Sequence, residues 1–149
     1  MKYAVALIPH EVLDMVDEDA RRLLSPSTER SEARHNIHTV MDGLYSGQFN
    51  LWMAFDENNN PAGAVVTSIE KYPLRKMVNL LFCAGDDLDG WHKEMLDALE
   101  KHMWETGCRG LEVVGRYGWQ RFLKKYGWEA NYVVCEKIFD EEQEARDVA

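Results

Sequence analysis

The chain has 149 residues, of which 46% are hydrophobic and 11% aromatic, so it is long and apolar enough to fold and is not a disordered polypeptide. Its formal net charge of −9 argues against general binding to nucleic acid or to anionic membranes, because both require clustered lysine and arginine. No apolar run approaches the ~18 residues of a membrane span, and three cysteines without CxxC spacing are expected to be free thiols of a soluble protein in a reducing compartment.

The first third of the chain predicts a strand followed by two helices. Residues 3–8 form a short apolar run of strand length, which Pro9 stops. Apolar residues then recur at helical spacing as far as Ser25-Pro26, which is expected to end the first helix because proline disrupts helical hydrogen bonding. A second helix is expected to follow at once, capped by Ser27 or Thr28.

Three strands are predicted in the middle of the chain. The apolar runs 49–55 and 62–69 are separated by the sequence Asp-Glu-Asn-Asn-Asn-Pro, which is typical of a hairpin loop. Residues 77–84 form a nearly unbroken apolar run, so this strand is expected to be central and buried on both faces.

The last part of the chain predicts a helix, a strand, a short helix and a strand. Residues 90–106 carry apolar side chains at helical spacing, and Gly107 fits the C-terminal end of that helix. A strand over 111–114, a helix over 117–126 and an alternating strand over 132–139 are expected to follow. The predicted order is β-α-α-β-β-β-α-β-α-β, with no internal repeat.

This order of elements resembles that of the GNAT N-acetyltransferase superfamily, and the resemblance covers about residues 3–139. It implies a single α+β domain over residues 1–139, with a mixed, mainly antiparallel sheet flanked by helices. Residues 140–149 are expected to form an acidic C-terminal tail. In the family, a loop of the type Arg/Gln-x-x-Gly-x-Gly/Ala leads into the long helix, where backbone N–H groups and the helix dipole hold the CoA pyrophosphate.

The corresponding loop in this chain is acidic. Alignment on the helix end at Gly107 places it at Asp87-Leu88-Asp89-Gly90-Trp91-His92, in which Gly90 matches the first family glycine. Asp87 replaces the basic or amide residue, and His92 replaces the last small residue. Asp86, Asp87 and Asp89 would repel a pyrophosphate. They are interpreted as helix-capping residues in its place, while a calcium site is a further alternative whose spacing matches no complete calcium loop.

A second family motif, Asn-x-x-Ala-x-x-x-Tyr-x-x-x-Gly-Phe, aligns on Gly127-Trp128. The tyrosine that often donates a proton to the departing thiolate is then replaced by Leu123. Tyr126, or alternatively Tyr117, could substitute for it from a neighbouring turn, and packing is the competing interpretation of both. Glu70 is the candidate general base, with Glu112 as an alternative, and a solvated or edge position is the competing interpretation of both.

If the resemblance extends to activity, it implies acetyl-CoA as the cofactor, bound along the central strand and at the start of the long helix. Arg116 lies between two glycines after a strand, so it is a candidate anion clamp or an internal salt-bridge partner of the acidic turn. No metal is expected, since His35 and His38 lack a legible third ligand. The candidate cofactor-binding residues are Phe82, Cys83, Ala84, Gly90, Trp91, His92 and Arg116.

The signature Gly115-Arg116-x-Gly118-Trp119-x-Arg121-x-Leu123-x-x-x-Gly127-Trp128 is more similar to divergent GNAT-like proteins of tailed bacteriophages and prophages. Because the phosphate loop and the general acid are both replaced, a non-catalytic role without a cofactor is expected, either virion-associated or in protein interaction. The implied partners are phage structural proteins or a second copy, and the implied location is the host cytoplasm or the virion. The alternative is a divergent acyl-CoA-dependent N-acyltransferase.

Overall fold

The computed structural model describes residues 2–31, 34–115 and 117–139, except for the side chain of Tyr117. The chain divides into two compact units, residues 1–113 and 114–149. Within the described part, no helix is long and apolar enough to cross a membrane. The elements are β1 (Ala4–Leu7), a 3-10 turn (His10–Val12), α1 (Leu13–Glu29), α2 (Ile37–Tyr45), β2 (Asn50–Phe55), β3 (Pro61–Lys71), β4 (Lys76–Gly85), α3 (Leu88–Glu105), β5 (Leu111–Val113) and α4 (Tyr117–Lys124).

The first unit contains a five-stranded sheet in the order β1-β2-β3-β4-β5. The first three pairs of neighbours are antiparallel, and β4 and β5 are parallel. This confirms the predicted α+β class and the mixed, mainly antiparallel sheet. β4 lies between β3 and β5, as its apolar sequence predicts.

The strand register separates two apolar faces, because neighbouring residues of a strand point to opposite sides of the sheet. On one face, Leu51, Val66 and Phe82 belong to a core that includes the apolar sides of α1 and α2. The other face packs against α3, where Trp91 covers Gly63 and the ring of His102 meets Trp52 edge-on at 5.0 Å. The buried residues on the inner side of α3 are Trp91, Met95, Leu99 and Met103.

One extra residue interrupts the pairing of β3 with β4. Val66 lies opposite Phe82 and Thr67 lies opposite Leu80, so Leu81 is the additional residue of a β-bulge. The parallel pairing with β5 ends at the level of the bulge, with Leu80 opposite Val113. Among the described residues, no strand pairs with β4 on that side beyond Leu80.

The predicted boundary between the first two helices is wrong. α1 continues through Pro26 to Glu29, because proline removes only one backbone hydrogen bond near the end of a helix. The hydroxyl of Thr28 donates to the Ser25 carbonyl at 2.9 Å, which helps to hold this last turn together. α2 is capped by Asn36, not by Ser27 or Thr28, in a reciprocal capping box with Thr39.

The predicted end of the long helix at Gly107 is confirmed. Gly107 has φ +76°, and its N–H donates to the Trp104 carbonyl at 3.3 Å. The N–H of Cys108 donates to the Met103 carbonyl at 2.9 Å. These two bonds form a Schellman motif, which requires a left-handed residue and therefore favours glycine.

The predicted final strand over residues 132–139 is wrong. This segment has no regular secondary structure, and the side chain of Tyr132 is 94% exposed. Alternating apolar residues indicate β-propensity, but a strand also needs a neighbouring edge with which to pair. In the second unit, the rings of Trp119 and Phe122 on α4 meet edge-on, with their centroids 5.8 Å apart.

His102 makes the stability of the first unit sensitive to mild acid. Its Nε2 is buried and has no hydrogen-bond partner among the described residues. Burial lowers the pKa of His102, against a weaker opposing effect of Glu105. The unfolded chain therefore binds the proton more readily, so the free energy of unfolding should fall as the pH drops through about 6.5.

The measurement is urea unfolding of the wild type and of His102→Phe at about pH 7.5 and about pH 5.5. The phenyl ring can retain the edge contact with Trp52 but does not titrate. The loss of stability between the two pH values should be smaller in the variant. Equal losses in the two proteins would contradict the role assigned to His102.

Candidate functional site

The turn from β4 into α3 is anchored to the neighbouring hairpin. The N–H of Asp86 donates to the Ala62 carbonyl at 2.8 Å. Gly85 has φ +133°, and a Cβ at this position would overlap the same carbonyl oxygen. Only glycine fits both the backbone angle and the close approach, so the path of the turn depends on Gly85.

Asp87 occupies the N-cap position of α3, but its side chain does not cap the helix. The carboxylate instead accepts a hydrogen bond of 2.6 Å from the hydroxyl of Tyr3, which directly precedes β1. The backbone of Asp87 is left-handed, with φ 53° and ψ 48°, a conformation that aspartate tolerates better than most residues. The sequence-based interpretation of Asp87 as a side-chain cap is therefore wrong.

Gly90, the residue that matches the family loop, lies against this Tyr3–Asp87 pair. A Cβ on Gly90 would lie 2.5 Å from Asp87 Oδ2 and 2.6 Å from Tyr3 Cε2. The glycine is thus required by packing within the protein. Its presence does not by itself indicate a bound pyrophosphate.

The next two candidate residues, Trp91 and His92, are held by the first turn of α3. Trp91 is only 1% exposed, and its Nε1 donates to the Asp86 carbonyl at 2.7 Å. His92 is half-buried, with Nδ1 3.1 Å from the Leu88 carbonyl oxygen. Both residues lie in the first turns of α3 after Gly90, and Trp91 has a clear packing role.

The electrostatic field at the start of α3 is negative. Asp86, Asp87 and Asp89 are all exposed, and residues 85–92 include no lysine or arginine. The hydrogen bond to Asp87 is the main cause that raises the pKa of Tyr3 to about 12, and the charges of Asp87, Asp56 and Asp86 add to it. Asp56, on the hairpin loop between β2 and β3, therefore belongs to the same acidic environment.

The ionisation of Tyr3 provides a test of this environment. Because its pKa in the folded protein exceeds the usual value of about 10, its stabilising effect is present below that pH and is lost as the pH rises toward 12. Absorbance titration of the wild type minus Tyr3→Phe isolates this phenol. Asp87→Asn should move its midpoint downward, since the charge is removed. An unchanged midpoint would contradict the pairing.

The candidate strand residues Phe82, Cys83 and Ala84 lead into the turn and lie beyond the bulge. The side chain of Phe82 is buried in the core with α1 and α2, and the His35 ring meets it edge-on at 5.6 Å. Burial raises the pKa of the Cys83 thiol to about 12, so it is not a thiolate at neutral pH. Among the described residues, no strand pairs with the backbone of these residues on the side past the end of β5.

The candidate catalytic residues lie away from this turn or in the other unit. Glu70 pairs with Met77, whereas Gly63 pairs with Gly85, so Glu70 is at the opposite end of β3 from the turn. Its Oε1 accepts a bond of 3.3 Å from the Ser68 hydroxyl. Tyr126, in the second unit, is exposed and lies 6.0 Å from the Phe122 ring. Their proposed roles stay predictions.

Two further sequence-based candidates, Glu112 and Leu123, lie within the described residues. The alternative base, Glu112, accepts a hydrogen bond of 2.8 Å from the Tyr72 hydroxyl. Leu123, which replaces the family tyrosine, is buried. Arg116 lies outside the described residues. In the ranges that the structure describes, no group of three or more His, Cys, Asp or Glu residues is arranged to hold a metal ion.

Tyr3 is the residue that sequence reasoning missed. It lies 84 positions before its partner Asp87, in a run assigned only to an N-terminal strand. No local spacing links the two residues. Only the placement of β1 beside the start of α3 reveals the pair.

The fold is shared with solved acetyltransferases. An acetyltransferase from Trypanosoma brucei superposes with a TM-score of 0.67 at 13% identity, over 93% of this chain and 100% of that one. Glucosamine-6-phosphate N-acetyltransferase from Arabidopsis thaliana gives 0.64 at 18%, over 94% and 100%. A probable acetyltransferase gives 0.69 at 15%, over 95% and 100%. These superpositions establish the GNAT-like fold, as predicted. At identities this low, they do not transfer an activity to this chain.

Sequence comparison adds no closer assignment. No protein-family model matches the chain, and no curated protein matches it.

Proposed function

We propose that this protein uses a GNAT-like fold as a non-catalytic scaffold for protein interaction, with a degenerate acyl-CoA site. The observation that supports this best is the Asp87 carboxylate at the start of α3, hydrogen-bonded to Tyr3. It places a negative charge at the N-cap position of α3, beside the backbone N–H groups with which the fold would bind a pyrophosphate.

The magnitudes favour exclusion of phosphate. Two like charges about 4 Å apart near a protein surface repel by about 4 kcal/mol. A helix N-terminus stabilises an anion by only about 0.3–1 kcal/mol. Three carboxylates, at Asp86, Asp87 and Asp89, therefore outweigh the helix dipole where no lysine or arginine of the turn offsets them.

The second support is the loss of the family's proton donor. Leu123 stands at the tyrosine position, and its side chain cannot protonate a thiolate. The signature over residues 115–128 further supports a phage or prophage setting. In that setting the partners would be phage structural proteins or a second copy, in the host cytoplasm or in the virion.

A second candidate function is that of a divergent N-acyltransferase using acetyl-CoA. One observation favours it: the bulge at Leu81 and the end of β5 at Val113 leave the backbone of β4 beyond Leu80 without a paired strand among the described residues. An extended, amide-containing chain such as the pantetheine arm could bond to such an edge. Glu70 and Tyr126 would be its candidate base and acid.

Calorimetric titration with acetyl-CoA separates the two functions. The scaffold predicts no detectable heat at millimolar cofactor. A micromolar dissociation constant for the wild type would overturn it, since such affinity requires a functional phosphate site.

Matched variants test whether charge closes the site. The triple variant Asp86→Asn, Asp87→Asn and Asp89→Asn removes three charges but keeps an oxygen acceptor for Tyr3. The control Glu94→Gln, Asp97→Asn and Glu100→Gln removes three charges from exposed positions further along α3. Binding should increase in the first protein only. An equal response of the two would show that the acidic turn is not the cause.

A further inference from the structure

The two ends of β4 carry opposite charge. The strand has ten residues, so at about 3.3 Å per residue its ends lie about 30 Å apart. At its C-terminal end lies an acidic surface, formed by the turn into α3 and by the hairpin loop between β2 and β3. The register joins the two, because Gly63 pairs with Gly85 and Phe55 pairs with Pro61. The acidic end comprises Asp56, Glu57, Asp86, Asp87 and Asp89, beside Lys2.

At the opposite end of β4, cationic residues from two loops form one surface. The N–H of Arg109 donates to the Lys76 carbonyl at 2.9 Å, and Lys76 Nζ donates to the Thr106 carbonyl at 2.9 Å. The N–H of Tyr72 donates to the Arg75 carbonyl at 2.9 Å, which closes the loop between β3 and β4. The basic end is defined by Lys71, Arg75, Lys76 and Arg109.

The basic end also exposes large apolar side chains. Leu74, at the loop tip, is 97% exposed, and Trp104 is 60% exposed with the Arg109 guanidinium 5.3 Å above its ring. Tyr72 is half-exposed beside them. Tryptophan, tyrosine and arginine are the residues that most often dominate the energy of protein interfaces.

Three carboxylates offset part of the charge at the basic end. Glu70, next to Lys71 at the end of β3, is exposed. Glu105 lies 3.7 Å from the Lys101 ammonium, and Glu112 accepts a hydrogen bond from the neutral hydroxyl of Tyr72, which leaves its negative charge in place. The positive charge of the basic end is therefore only partly offset by carboxylates, in a chain whose net charge is −9. Such a surface favours a carboxylate-rich protein partner with apolar contacts over a phosphate backbone, which would be repelled by the remainder of the chain.

We infer that the basic end docks on the acidic end of a second copy of this chain. Each copy carries both complementary surfaces, so a partner of suitable charge is always present. Because the two surfaces are different, the contact is head-to-tail, and such contacts build rings or open filaments. This inference goes beyond the scaffold function and holds whether or not acetyl-CoA binds.

Sedimentation velocity over a concentration series tests the contact. Association should be evident at about 20 mM salt and should weaken at about 0.5 M, where the Debye length falls to a few ångströms. A wild-type protein that remains monomeric at low salt and high concentration would overturn the inference. Association that is equally strong at both salt concentrations would also overturn it, since it would indicate a different interface.

Charge reversal identifies the surfaces. Lys71→Glu with Arg75→Glu removes the positive charge of the basic end, and Glu57→Lys with Asp89→Lys removes the net negative charge of the acidic end, while Asp56 is retained because it holds the hairpin loop. Each variant alone should be monomeric, and an equimolar mixture should associate again. The control Asp97→Lys with Glu100→Lys changes the same charge in the middle of α3 and should behave as the wild type. A mixture that stays monomeric, or a control that loses association, would contradict the inference.

Discussion

Replacing Trp91 by alanine is expected to lower the free energy of unfolding of the first unit by about 3–5 kcal/mol, the usual range for a buried tryptophan. Trp91 is nearly completely buried between α3 and the sheet. Its ring lies over Gly63, where a Cβ would overlap it. The substitution leaves a cavity and also removes the indole N–H that donates a hydrogen bond to the Asp86 carbonyl.

Urea unfolding measured by circular dichroism gives the value. Trp91→Phe fills most of the cavity but lacks the indole N–H. Its free energy of unfolding should lie between those of the wild type and Trp91→Ala, which separates the contribution of packing from that of the hydrogen bond. Trp104→Ala is the matched control, because this tryptophan of the same helix is mostly exposed and its removal should cost little. Equal effects of the two alanine substitutions would contradict the packing role of Trp91.

Gly85→Ala is expected to destabilise the first unit by about 3 kcal/mol, because two costs coincide. The backbone angle φ of +133° is unfavourable for alanine, and the added Cβ would overlap the Ala62 carbonyl oxygen. The backbone cannot move aside without breaking the bond from the Asp86 N–H to that oxygen. Amide exchange at Asp86 should accelerate along with the loss of stability.

Gly118→Ala is the control for this second prediction. Gly118 lies in α4, and a Cβ there would meet no atom within 4 Å. Alanine in a helix is favoured over glycine by about 0.5–1 kcal/mol, so this variant should be neutral or more stable. If Gly85→Ala were also neutral, the turn would not depend on its backbone conformation.

Local patterns predicted most of the elements correctly. The helix ending at Gly107 and the hairpin around residues 56–60 are specified by near neighbours, through helical spacing and turn residues. The prediction that α1 ends at Ser25-Pro26 was wrong because a proline close to a helix end costs one hydrogen bond, while the buried Thr28 side chain favours continuation of the helix. The prediction of a strand over residues 132–139 was wrong because β-propensity does not supply a pairing partner.

The sequence by itself determined the fold class, the order of the first nine elements and the acidic character of the turn at residues 86–89, because these depend on periodicity and on residue charge. Only the tertiary structure decided what the turn is attached to. Tyr3 and Asp87 are paired by the packing of β1 beside α3, and Gly85 and Gly90 are required by close contacts across the sheet. Such contacts join residues far apart in the chain, and their geometry follows from strand register and helix placement, which no local spacing records.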